Sequence, residues 1–193
     1  MAAARAYAAD AYLRNADVIL WRLYTTSYDL EDRVEAEKWC AELGRRFPGD
    51  LRFVKCQLWL MSMHDEEVDV QRAWELAAEY ERASTPQTVE LDRRWAGMAV
   101  AAALAQAGLK DSARAVAVRS RGGASVDPAR DLVYVEAFVR TLLGDNQEAL
   151  DLLTEYLAVI GQGGAGTLGD HWWFNGLRDE PRYHTLFRDS GGG

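Results

Sequence analysis

Three glycines near the C-terminus, Gly161, Gly163 and Gly166, have the G-x-G-x-x-G spacing that binds a dinucleotide pyrophosphate in many proteins. That chemistry needs a strand before the glycines and a helix directly after them, because backbone amides at the helix N-terminus hold the phosphates. Here the glycines follow a helical pattern that ends near Ile160, and no strand pattern precedes them. We therefore predict a Gly-rich linker over residues 161–169 and no bound cofactor.

Residue types that bind metals or act as nucleophiles are present, but not at useful spacings. The three histidines include no pair three or four residues apart, which would place two ligands on one helical face. The two cysteines do not form a Cys-x-x-Cys pair, and the serines lack the strand–turn–helix context of a nucleophile elbow. We predict that the chain is not an enzyme and that it holds no metal ion.

The charge balance and the hydropathy pattern exclude two further classes of partner. Thirty acidic and 22 basic residues give the 193-residue chain a net charge of −8, which disfavours nucleic acid because phosphate binding needs a concentrated basic surface. No segment has the roughly 18 consecutive apolar residues of a membrane span, and residues 1–10 lack the apolar region of a signal peptide. We expect a cytoplasmic protein.

The two cysteines raise the question of a disulfide bond. Cys40 and Cys56 stand eight residues either side of Pro48, so they face each other if the flanking helices form a hairpin. Two cysteines are too few for a disulfide scaffold, and free cysteine usually packs as a small apolar residue. We favour two reduced, packed thiols, and a bond between them is the alternative that the sequence leaves open.

Apolar residues recur at helical spacing along almost the whole chain, and alternating strand patterns are nearly absent. Leu51, Val54, Leu58 and Met61 form one such stripe. Capping residues or prolines mark the helix starts, and glycine or proline marks the breaks between helices. The pattern predicts an all-α protein with helices over residues 3–14, 17–28, 31–46, 51–63, 67–83, 86–107, 110–121, 128–143 and 146–160.

The helices repeat in pairs. The segments around Gly108 and Gly144 match in layout, and a small residue occurs near the start of every second helix at spacings of 37, 40 and 36 residues: Ala36, Ala73, Ala113 and Ala149. Short connections between amphipathic helices produce antiparallel pairs. A helix pair that recurs at this spacing indicates an α-solenoid, whose units bury their apolar faces against one another.

Residues 17–160 resemble the tetratricopeptide-repeat (TPR) proteins. The likeness is strongest over residues 34–50, where a small residue, a central aromatic and a closing Pro48 follow the pattern of the family's second helix. The resemblance implies a right-handed α-solenoid of about four helical hairpins, in which the first helix of each hairpin lines a concave groove. By that register, the partner-binding residues are Trp21, Tyr28, Arg52, Lys55, Trp59, Trp95, Met98, Tyr134 and Phe138.

The end of the chain resembles the closing segment of many bacterial TPR proteins, in which a Leu-Arg-x-Glu-Pro-Arg run follows the last hairpin. This run begins here at Leu177 and lies among seven large apolar residues. Because the open end of a solenoid needs a cover, we predict an aromatic cap over residues 170–189 on the final helix pair, followed by a disordered tail over residues 190–193. For residues 1–16 we predict a leading helix, which is either a cap or half of a truncated repeat.

These features predict a non-enzymatic scaffold that binds a partner protein or peptide on the concave face. Aromatic side chains anchor such interfaces, and Arg52 and Lys55 can meet an acidic group. Two alternatives stay open. The chain could be the C-terminal regulatory region of a larger bacterial signalling protein, such as a serine/threonine kinase, or a structural subunit whose groove is filled by self-association.

Overall fold

The computed structural model describes residues 15–63, 68–161 and 168–188. These three ranges contain helices and turns but no strand, which confirms the predicted all-α class. Short 3-10 segments lie at Met61–Met63, Leu168–Asp170 and Trp172–Leu177. The α-helices are α1 (Ala16–Asp29), α2 (Arg33–Arg46), α3 (Leu51–Leu60), α4 (Val70–Ala83), α5 (Val89–Gln106), α6 (Lys110–Arg119), α7 (Asp131–Leu143), α8 (Asn146–Ile160) and α9 (Pro181–Arg188).

Most predicted helices agree with the structure to within three residues at each end. The predicted leading helix over residues 3–14, most of the Gly-rich linker and the tail over 190–193 lie outside the described residues. The largest differences are three residues: α4, α5 and α7 begin at Val70, Val89 and Asp131 rather than at 67, 86 and 128, and α3 ends at Leu60 rather than at 63.

The late start of α7 has a local cause. Arg130 adopts a left-handed backbone conformation with φ of 61°, which cannot be part of a right-handed helix. The buried carboxylate of Asp127 still caps the helix, because it accepts hydrogen bonds from the backbone N–H of Asp131 (3.0 Å) and Leu132 (2.9 Å). Asp127 thus caps α7 from four residues upstream of its first residue.

Each helix from α1 to α8 packs on the next one along the chain. In addition, α1 packs on α3, α3 on α5 and α5 on α7. The middle of this row is deeply buried, since every residue from Met98 to Ala105 of α5 is shielded from solvent. The many alanines there allow neighbouring helices to approach closely.

A disulfide bond joins Cys40 of α2 to Cys56 of α3, so the prediction that favoured two reduced thiols is wrong. The turn around Pro48 returns the chain and brings the two Cα atoms to 5.8 Å, within the about 4.4–6.8 Å that a disulfide allows. Both cysteines are buried. The bond therefore links α2 to α3 inside the core.

The C-terminal segment, residues 168–188, contacts both the last and the first helices. Its helix α9 packs on α8, where Arg182 donates to Asp151 (2.8 Å) and Asn146 donates to Glu180 (2.9 Å). The same segment also reaches α1 and α3 through its tryptophans, a contact that the sequence did not predict. Among the described residues, no helix is both long enough and apolar enough to cross a lipid bilayer.

Candidate binding surface on the odd-numbered helices

The helices α1, α3, α5 and α7 bring most of the predicted groove residues onto one continuous surface. The ammonium of Lys55 lies 5.8 Å from the ring centre of Trp21 and 5.1 Å from that of Trp95. Trp95 in turn contacts Trp59 edge to face, with ring centres 6.1 Å apart. We call this surface the aromatic face; its members are Trp21, Tyr28, Lys55, Trp59, Trp95, Tyr134 and Phe138.

The chain's own Trp173 occupies the centre of the aromatic face. Its indole stacks on Phe138, with ring centres 4.4 Å apart and an angle of 10° between the planes. Its ring centre also lies 5.6 Å from that of Trp59 and 5.4 Å from that of Tyr134. Trp173 is only 9% exposed. The part of the predicted groove that Trp59, Tyr134 and Phe138 would offer to a partner is therefore covered by the C-terminal segment.

Trp172 and Trp173 both form hydrogen bonds with Tyr28. The indole N–H of Trp172 donates to the backbone carbonyl of Tyr28 (2.8 Å), and that of Trp173 donates to the Tyr28 hydroxyl (3.1 Å). Burial raises the pKa of Tyr28 well above its ordinary value, so its hydroxyl stays protonated and neutral. The sequence pattern around these tryptophans indicated burial but not which helices they would cover, so it did not predict them as part of this surface.

Two other predicted groove residues are already committed to internal contacts. Met98 of α5 is fully buried in the core. Arg52 donates to Asp17 (2.6 Å) and to Asp50 (2.9 Å), and its guanidinium lowers the pKa of both carboxyls through these hydrogen bonds. Arg52 thus ties α1 to the start of α3. The two members of the predicted basic pair therefore differ. Arg52 has carboxylate partners, whereas Lys55 has none among the described residues.

Lys55 differs from Arg52 because no described residue accepts a hydrogen bond from its ammonium. It forms no hydrogen bond or ion pair with any residue in the described part of the chain, and its contacts are the two indole faces of Trp21 and Trp95. Burial lowers the pKa of Lys55, and the charge of Asp92 only partly opposes this. Asp92 itself accepts a hydrogen bond from Tyr80 (3.2 Å).

This geometry has a chemical consequence. A half-buried ammonium that lacks an acceptor has lost part of its hydration, and cation–π contacts replace only some of it. An anionic group that enters between Trp21 and Trp95 would pair with the Lys55 ammonium and so compensate for its lost hydration. The same group would contact two apolar ring faces. The open part of the aromatic face is thus suited to a carboxylate with an apolar neighbour.

Comparisons with protein-family models, with curated proteins and with solved structures found no match. The likeness to TPR proteins therefore depends on the residues of this chain alone. Within the described ranges, no group of three or more His, Cys, Asp or Glu side chains is arranged to hold a metal ion.

Proposed function

We propose that this chain is a non-enzymatic binding module of the TPR type, in which four helix pairs form a short right-handed solenoid. Support comes from the row of α1, α3, α5 and α7, each packed against the second helix of its own pair. A stack of rigid helices presents its side chains in fixed positions and loses little entropy when a partner binds. Such an arrangement suits recognition of another protein.

The proposed partner binds the part of the aromatic face around Lys55, because the C-terminal segment covers the part around Phe138. One observation carries the proposal: the Lys55 ammonium lies between Trp21 and Trp95 without an acceptor among the described residues. A partner carboxylate supplies the missing charge, and the indoles contact the carbon atoms beside it. The proposed partner is therefore a protein segment in which an acidic residue stands next to an apolar one.

A displayed library of random twelve-residue peptides, selected on the full chain, tests this function. We expect the bound sequences to be enriched in Asp and Glu and to bind at least tenfold more weakly to the Lys55→Glu variant. Lys38→Glu is the matched control, because Lys38 lies exposed on α2 and pairs with Glu35 (2.8 Å) away from the aromatic face. Selected peptides that bind both variants as tightly as the wild type would remove Lys55 from the site.

A further inference from the structure

A second cleft lies between α4, α5 and α6 and shares no residue with the aromatic face. Its volume of about 400 Å³ falls within the range of about 300–1,000 Å³ that is usual for ligand-binding clefts. Helices α4 and α6 form its walls, and α5 forms its floor. We call it the α4–α6 cleft.

The floor of this cleft is kept low by small residues. Ala96 and Gly97 of α5 line it, and a Cβ atom built on Gly97 would lie only 2.1 Å from the hydroxyl oxygen of Ser120. Any larger residue at position 97 would therefore collide with the side chain of Ser120, directly after the end of α6. The glycine allows α5 and α6 to meet closely while the space between α4 and α6 stays open.

Ser120 is a largely buried polar residue that lines this cleft. Its side-chain oxygen makes no hydrogen bond with any residue of the described ranges. In those ranges the buried side-chain oxygen without a partner belongs to Tyr134, so the Ser120 hydroxyl is open to the cleft rather than sealed from water. A group that enters the cleft can therefore accept a hydrogen bond from Ser120.

The charges around the cleft favour an acidic occupant. Arg93 and Arg94 are paired with glutamates, Arg93 with Glu81 (2.6 Å) and both arginines with Glu90. Arg119, on the α6 wall, forms no ion pair with a described residue. The cleft thus keeps an unbalanced positive charge on a chain whose net charge is −8.

An exposed aromatic residue lines the opposite wall of the cleft. Trp74 of α4 lines the cleft and is 43% exposed, although tryptophan is among the residues that proteins most often bury or use at interfaces. Tryptophan and arginine are among the residues that contribute most of the binding energy in many protein–protein interfaces. An exposed indole on a helical wall is suited to an extended or helical partner segment rather than to an enclosed small molecule.

We propose that the α4–α6 cleft binds an acidic segment of a partner protein. An apolar side chain of that segment packs against Trp74 over the floor at Ala96 and Gly97, and a carboxylate of the same segment binds Arg119 and the hydroxyl of Ser120. This site is independent of the one proposed around Lys55, because the two have no residue in common.

Selection of displayed random twelve-residue peptides on the full chain carrying Lys55→Glu tests the proposal, since that substitution disables the other proposed site. We expect sequences that combine Asp or Glu with a large apolar residue. Their affinity should fall at least tenfold when either Arg119→Glu or Trp74→Ala is added. Arg82→Glu is the matched control, because Arg82 is exposed on α4 outside the cleft and donates to the carbonyl of Ala78.

Circular dichroism of each variant checks that its helix content is unchanged. The use of two variants on different helices, α4 and α6, guards against a local folding defect in either one. The proposal is overturned if no selected peptide depends on both Arg119 and Trp74, or if the selected peptides are rich in lysine and arginine instead.

Discussion

The indole N–H of Trp173 donates a 3.1 Å hydrogen bond to the hydroxyl of Tyr28, a residue 145 positions earlier in the chain. The same hydroxyl shares a 2.8 Å hydrogen bond with Ser62, so three distant parts of the chain meet at one oxygen atom. Tyr134 of α7 packs against the same indole, with ring centres 5.4 Å apart. Within the described residues, however, its hydroxyl is buried without any hydrogen-bond partner.

This contrast predicts opposite effects for two chemically identical substitutions. Tyr28→Phe should lower the free energy of unfolding by about 1–3 kcal/mol, because it leaves the buried N–H of Trp173 unpaired. Tyr134→Phe should leave that energy unchanged or raise it slightly, because it removes a buried hydroxyl that has no partner. Urea unfolding of both variants provides the measurement. Equal losses in the two would contradict the hydrogen-bond assignment.

Gly44 predicts a steric limit at the contact between α2 and α3. A Cβ atom at this position would lie 2.3 Å from the ring of Phe53. We expect Gly44→Ala to destabilise the fold by roughly 1 kcal/mol, because an overpacking cost of ~1–3 kcal/mol exceeds the gain of up to ~1 kcal/mol in helix propensity. Thermal unfolding measures the effect.

Gly49 is the matched control for this substitution, since a Cβ atom there meets nothing within 4 Å. Gly49→Ala should change the free energy of unfolding by less than about 0.5 kcal/mol. A Gly44→Ala variant more stable than the wild type would show that Phe53 moves aside freely.

Because of the disulfide bond, we expect the protein to have no free thiols and to become less stable when it is reduced. Cys40 and Cys56 are the two cysteines of the sequence, so thiol titration of the unfolded, unreduced protein should find none, and two after reduction. Reduction should lower the free energy of unfolding by about 3 kcal/mol, the value usual for a loop of this length. Reductant should not affect the Cys40→Ala/Cys56→Ala double variant.

The same titration bears on the cellular location. Disulfides persist mainly in oxidising compartments. The predicted cytoplasmic location assumed that both cysteines are reduced. Two free thiols in protein purified from its native cells without reductant would mean that the pair is reduced there. The absence of free thiols would favour an oxidising environment.

Lys55 predicts a pH-dependent stability of defined sign. Burial lowers the pKa of Lys55 below its ordinary value of 10.5, so the unfolded chain binds more protons than the folded chain between the lowered pKa and 10.5. The contribution of Lys55 to the free energy of unfolding should therefore rise with pH across this window. Lys55→Met should stabilise the protein by about 1 kcal/mol at neutral pH, and this advantage should shrink as the pH rises.

Denaturant unfolding between neutral pH and pH 10 measures this difference. Lys38→Met is the control, because Lys38 is exposed on α2 and should change the free energy of unfolding by less than about 0.5 kcal/mol. A Lys55→Met variant less stable than the wild type at neutral pH would mean that the ammonium has an acceptor after all. A more stable variant that no longer binds acidic peptides would identify Lys55 as a residue kept for binding.

Local sequence signals were sufficient to place the helices. The stripe of Leu51, Val54 and Leu58 gave α3 its buried side, and the carboxylate of Asp50 caps that helix by accepting from the N–H of Arg52 (2.9 Å). Helical hydrogen bonds and caps join residues at most a few positions apart, so the amino-acid order alone contains the information. The same reasoning correctly excluded strands from the described residues.

Tertiary structure alone decided what the predicted groove residues contact. Arg52 and Lys55 are one helical turn apart and looked equivalent, yet the packing of α1 gives Arg52 a carboxylate partner in Asp17 and leaves Lys55 between two indoles. Trp173 covers Phe138 because the chain turns back after α8, and Cys40 meets Cys56 because of how α2 and α3 pack. These contacts join residues far apart in sequence, and they depend on the relative placement of helices, which no local pattern encodes.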